Sequence, residues 1–249
     1  MNKRVIIGII IAIIVIIVVA LGYIFLNSNK STTENNENIE NLQSNKNESE
    51  IENEKENQNT TGLDKKIIIA YFSLPETKGS AKEDSTITVN GEDLGNTQYV
   101  ANLIQGYTGA DVFRIEAVKE YNTSDHQALI DDAKEEQNED SRPEIKSKIN
   151  NFDEYDTIFI GYPIWWSDLP QILYTFLESY NFTGKNVILF STNGGSELAG
   201  TVNTIKNKLS SVSANVNENA FTLNRNNMED APKKVETWLK EINMIGSEY

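Results

Sequence analysis

The sequence contains no cysteine and a single histidine, His126. The first absence excludes disulfides, thiolate-bound zinc, iron–sulfur clusters, a cysteine nucleophile and a lipid-modified cysteine anchor. The second excludes a multi-histidine metal site, and His126, set in the polar stretch 122–127, reads as a solvated surface residue. Difficult chemistry in such a chain needs a borrowed cofactor. Basic residues are also scarce, with 22 Lys and Arg against 37 Asp and Glu, a net charge of −15 over 249 residues. Residues 1–26 hold only Lys3 and Arg4, and residues 27–62 carry eight Glu against three Lys, so 63–249 is net −12. Such a surface repels phosphate backbones, which argues against nucleic acid and for a basic protein partner.

Charge is missing altogether from residues 5–26, a 22-residue run dominated by Ile and Val. At ~1.5 Å per residue it spans the roughly 30 Å hydrocarbon layer. It is longer than the apolar region of a cleaved signal, and apolar residues continue past Ala20-Leu21-Gly22, so we expect an uncleaved transmembrane anchor over 1–26. Lys3 and Arg4 precede the span, which places the short N-terminus in the cytoplasm and the remainder outside, in a single-pass cell-membrane protein. Residues 27–62 are Asn, Glu, Ser and Lys with isolated Ile39, Leu42 and Ile51, too little apolar surface to offset chain entropy, and read as a disordered tether.

From residue 63 to 249 the pattern is that of one folded domain. Apolar runs of strand length occur at 67–72, 112–118, 157–160 and 187–190, with a weaker one at 220–223. Helical patterns separate them at 98–106, 125–136, 169–180 and 197–209, and an amphipathic helix at 232–245 carries Val235, Trp238, Leu239 and Ile242 on one face. Five alternations of strand and helix predict a doubly wound α/β domain of about five parallel strands.

In open parallel sheets ligands bind beyond the carboxyl ends of the strands, so the residues that follow each strand are the candidates. After the first run, Ser73 and then Gly95-Asn96-Thr97-Gln98 lead into a helix, with Asn96 or Thr97 suited to the N-cap. A hydroxyl and exposed first-turn amides make an anion cradle without Lys or Arg, or simply a helix cap. After the third run, Gly161-Tyr162-Pro163-Ile164-Trp165-Trp166-Ser167 sets two adjacent tryptophans at the ligand edge. Neighbours on a strand point to opposite faces, so one ring buries and the other offers a flat surface, unless both pack over helix 169–180. After the fourth run, Thr192-Asn193-Gly194-Gly195-Ser196 lets backbone amides approach a ligand, and Ser196 can cap the following helix. Phosphate cradle, aromatic platform and glycine wall together suit a phosphorylated, flat heteroaromatic ligand.

These motifs, Phe72-Ser73 with Gly95-Asn96-Thr97, Gly161 through Trp166, and Thr192 through Ser196, resemble those of the flavodoxin-like family over residues 65–243. The resemblance implies a five-stranded parallel sheet in order 2-1-3-4-5 within three α/β/α layers, and bound FMN. It implies that Ser73 and the Gly95-Asn96-Thr97 run hold the phosphate. Pro163, Ile164, Trp165 and Trp166, with Thr192, Asn193, Gly194 and Gly195, would flank the isoalloxazine. Where flavodoxins keep the serine and Gly-Asn-Thr in one short loop, 21 residues intervene here, and Thr86–Val89 before Asn90-Gly91 reads as one arm of a β-ribbon. Other users of similar architecture do not match: a receiver aspartate, a phosphatase cysteine, a Gly-x-Ser-x-Gly elbow, a dinucleotide fingerprint and a Walker loop are all missing from the sequence.

Three functions follow as expectations. The first is a membrane-tethered electron-transfer flavoprotein with a basic redox partner, its flavin potential lowered by the acidic domain. The second is an NAD(P)H-dependent FMN or quinone oxidoreductase on the same scaffold, separated from the first by steady-state NADPH oxidation with a quinone. The third is a binding module that has lost the flavin.

Overall fold

Alternation of buried residues builds the sheet. The computed structural model describes residues 66–74, 86–123 and 125–246. Its first strand, β1 (Ile67–Tyr71), turns Ile68 and Ala70 to one face and Ile69 and Tyr71 to the other, all buried. A strand with apolar residues on both faces has to be covered by helices on both. A two-stranded antiparallel ribbon follows, β2 (Thr86–Val89) and β3 (Glu92–Gly95), turning at Asn90 and Gly91 with φ of 52° and 88°. Positive φ at both central residues is the geometry that an Asn-Gly hairpin supplies, as the sequence predicts.

The chain continues through α1 (Asn96–Thr108), β4 (Asp111–Arg114), α2 (His126–Asn138), β5 (Thr157–Pro163), α3 (Gln171–Ser179) and β6 (Asn186–Asn193). It ends with α4 (Thr201–Leu209), β7 (Asn215–Val216), β8 (Phe221–Asn224) and α5 (Ala231–Glu241). The parallel sheet runs β4-β1-β5-β6-β7, with β8 also paired to β6. β7 lies beside Asn186 and Val187, and β8 beside Phe190 to Asn193, so the two are halves of one interrupted edge position. Counting that position once gives the expected order 2-1-3-4-5, though with six strands where five were expected. Between the halves the Asn217 side chain accepts from the Asn219 amide, and this turn draws the chain away from the sheet.

Each face has its own core. Ile68, Ala70, Ile158, Ile160 and Leu189 pack with Phe176 of α3 and Ile205 of α4. On the other face Ile69, Phe159, Ile188 and Phe190 pack with Ile104 of α1 and with Val235 and Trp238 of α5. Trp238 is edge-on to Phe159 at 6.0 Å, and its Nε1 donates to the Asn219 carbonyl.

Three expectations about element ends are corrected. α1 starts at Asn96, and its N-cap is Gly95, which has no side chain to bond; neither Asn96 nor Thr97 caps it. α4 starts at Thr201 and not near 197, so Ser196 does not cap it. Glu197 and Ala199 hold φ of 51° and 46°, incompatible with a right-handed helix, and the backbone closes a turn from the Ala199 amide to the Ser196 carbonyl. β5 and β6 each run three residues past their predicted ends, because the ladder continues to Pro163 opposite Thr192 and to Asn193 opposite Asn224. The expected anchor and tether, 1–62, lie outside the described residues. Among the described residues no helix is long and apolar enough to cross a membrane.

Candidate functional site

At the carboxyl edge of β1, β5 and β6 the chain encloses a cleft of about 300 Å³, at the low end of the range of small-molecule sites. Its deepest polar group is made of hydroxyls. Ser73, Thr97 and Thr192 are each under 5% exposed, and Thr97 Oγ1 and Thr192 Oγ1 share a hydrogen bond of 2.7 Å. Ser73 Oγ accepts from the Gln98 amide at 3.2 Å. Gln98 is the third residue of α1, the position whose amide an N-cap serine would normally satisfy. Ser73 therefore supplies from 25 residues away the cap that Gly95 cannot, and the ribbon excursion leaves serine and helix start in contact. The Ser73 carbonyl in turn accepts from Arg114 Nη2 at 3.2 Å.

The aromatic side is built on a tight turn. Trp165 and Asp168 exchange both backbone hydrogen bonds, at 3.0 and 2.9 Å, across Trp166 and Ser167, whose φ values are 49° and 59°. Two consecutive left-handed residues without glycine cost of order 1 kcal/mol each, and neighbouring contacts hold them in place. Trp165 packs edge-on against Phe72 and Tyr121 at 5.3 and 5.5 Å. Trp166 is 48% exposed; its Nε1 donates to the Ile130 carbonyl, Gln137 donates to its carbonyl, and Lys134 lies 5.0 Å over its ring. One ring is thus packed inward and the other faces outward, as expected, but the left-handed turn after β5 separates them and not the alternation of a strand.

Behind this turn Tyr121 donates to Glu136 Oε2 at 3.0 Å. Burial, reinforced by the carboxylate, pushes the Tyr121 phenol far above the usual tyrosine range, and burial likewise raises the Glu136 carboxyl.

The third side is the end of β6. Asn193 accepts from the Gly195 amide and donates to Thr222 Oγ1, which also accepts from Ser191 Oγ. These bonds fix the β6 loop to β8. Of the expected site residues, Ser73, Asn96, Thr97, Pro163, Ile164, Trp165, Trp166, Thr192, Asn193 and Gly194 line the cleft, while Gly95 and Gly195 shape the backbone beside it. The sequence reading did not include Arg225 or the α2 face of His126, Leu129, Ile130 and Ala133, which also line it. His126 is exposed, as expected, but at the cleft and not on a remote surface. Both omissions follow β4 or β8, and applying the same carboxyl-edge rule to those strands would have found them.

The donor set fits FMN. Hydroxyls and a helix N-terminus at one end suit a phosphate, and apolar walls with a side-chain-free Gly194 suit a flat ring.

The flavodoxin family's sequence profile matches residues 66–242, and the chain belongs to that family. Among solved structures it is similar to a protein of Bacteroides eggerthii assigned as a flavoprotein, with 29% identity, a TM-score of 0.55, and coverage of 72% of this chain and 98% of that one. A second, from Bacteroides uniformis and assigned likewise, is 27% identical with a TM-score of 0.51, covering 69% and 98%. A flavoprotein in complex with FMN from Lactobacillus acidophilus is 20% identical with a TM-score of 0.48, covering 70% and 98%. No curated protein matches the chain.

Proposed function

We propose that the domain binds FMN in this cleft and serves as an electron carrier, tethered to the membrane through residues 5–26 with 27–62 as spacer and the domain outside the cell. The observation that carries the flavin reading is the hydroxyl group at the start of α1. Thr97 and Thr192, from elements 95 residues apart, meet at 2.7 Å beside Ser73, all three buried at a helix N-terminus. When bound, FMN supplies reversible electron uptake. The chain's own residues do the rest. Ser73, Asn96 and Thr97 hold the phosphate, while Ile164 and the Trp165–Asp168 turn present an apolar wall to the ring. Asn193 keeps the Gly194 backbone in place on the other side.

The carrier role rests on the charge around the cleft mouth. α2 exposes Asp131 and Glu135 on the helix that holds the outward Trp166, a surface suited to a basic redox partner docking beside the flavin. The tether rests on the hydropathy of 5–26.

Thr97→Val tests the phosphate assignment, since it keeps the shape and removes the hydroxyl. A hydrogen bond to a charged group is worth about 1.5–3 kcal/mol, so FMN should bind at least about tenfold more weakly. Riboflavin, which lacks the phosphate, should bind wild type and variant equally. Equal FMN affinity in the two proteins would remove the phosphate from this end of the cleft.

A further inference from the structure

The flavin reading leaves Arg225 without a role. It follows β8 directly, and its guanidinium lies against the backbone of Gly194: a Cβ at Gly194 would stand 3.3 Å from both Cζ and Nη1. The cation is thus in close contact with the loop that flanks the ring. Among the described residues lining the cleft none is Asp or Glu, and the basic ones are Arg225 and His126. In a domain of net −12 the cleft is therefore a local exception to the sign of the surface.

A phosphate explains this poorly, because its donors are the neutral hydroxyls of Ser73 and Thr97. A charge that appears on the ring explains it better. Oxidised flavin carries no charge on its ring. When a reductant delivers two electrons and solvent one proton, the ring gains one net negative charge. Arginine remains cationic throughout the working pH range, so its attraction acts on the reduced ring and hardly on the oxidised one. Resting on the flavin reading, we propose that Arg225 raises the reduction potential of flavin in this cleft, opposing the lowering field of the acidic domain. It acts on the ring electrostatically across the Gly194 backbone, and is not needed for the oxidised cofactor to bind.

Reductive titration of the FMN-loaded full-length protein with dithionite, against an indicator dye, tests this. Arg225→Gln should lower the ratio of reduced to oxidised affinity about tenfold, which for a two-electron couple is a midpoint about 30 mV lower. Its affinity for oxidised FMN should stay within about twofold of wild type. Arg225→Lys should restore most of the midpoint. Lys148→Gln, an exposed lysine outside the cleft that loses the same charge, should leave it unchanged. An Arg225→Gln midpoint equal to wild type, or an equal shift in Lys148→Gln, overturns the inference while leaving flavin binding intact. Wild-type protein that takes up no FMN removes the flavin reading and this inference with it.

Discussion

Glu136 is the carboxylate that the fold burdens most visibly near the cleft, half-buried on α2 with the Tyr121 hydroxyl donating to it. Its pKa is raised above 4.5 chiefly by desolvation, with Asp132 adding to the rise and Tyr121 and Lys119 opposing it. A raised folded-state pKa means that the native protein binds the proton more tightly than the unfolded chain. Stability is then favoured at low pH and lost as the pH rises through the folded value. Glu136→Gln keeps an acceptor for Tyr121 and removes the ionisation. Its advantage over wild type should be absent below about pH 4.5 and grow as the pH is raised toward neutrality, read by urea unfolding at each pH. The lowered carboxyls of Glu178 and Glu218 tilt both proteins the other way and cancel in the difference. At this scale the sequence showed that Ser73, Thr97, Thr192, both tryptophans and Gly194 gather at the cleft, because each ends or follows a strand. It did not show that Ser73 caps α1 across 25 residues, since cap motifs are legible only when the capping residue is local. Arg225 was legible only by its position after β8, as nothing in the run Asn224-Arg225-Asn226 itself sets it apart from a solvated loop cation.

Among the elements, β5 and β6 are the tightest joint. Gly161 pairs with Phe190, and a Cβ at Gly161 would stand 2.1 Å from Phe190 Cζ, inside a ring that is itself fully buried between β6 and the α1–α5 face. That ring has nowhere to move, so Gly161→Ala should destabilise the domain by about 1–3 kcal/mol, seen as a lower urea midpoint at unchanged slope. Gly194 makes the useful contrast: a Cβ there meets only the flexible end of Arg225. Strand order and the two covering layers were legible because continuous apolar runs dictate burial on both faces. Boundaries were less so. Thr192 and Asn193 read as loop residues, yet their pairing to β8 holds them in the strand, and the left-handed Glu197 and Ala199 delay α4 where the composition alone reads as helix.

For the molecule as a whole, the unequal spread of charge links fold to role. In a net −12 domain the described lining of the cleft carries no carboxylate, and it opens beside an exposed tryptophan and an acidic helix. Three turns separated by up to about 120 residues converge there only because a doubly wound sheet brings the carboxyl ends of its central strands together. The direct measurement is fluorescence titration of FMN with the purified full-length protein. Saturable quenching at one FMN per chain, with a melting temperature that rises as FMN is added, is the predicted result. Flavin emission that stays undimmed at every protein concentration, with no change in melting temperature, would contradict the account.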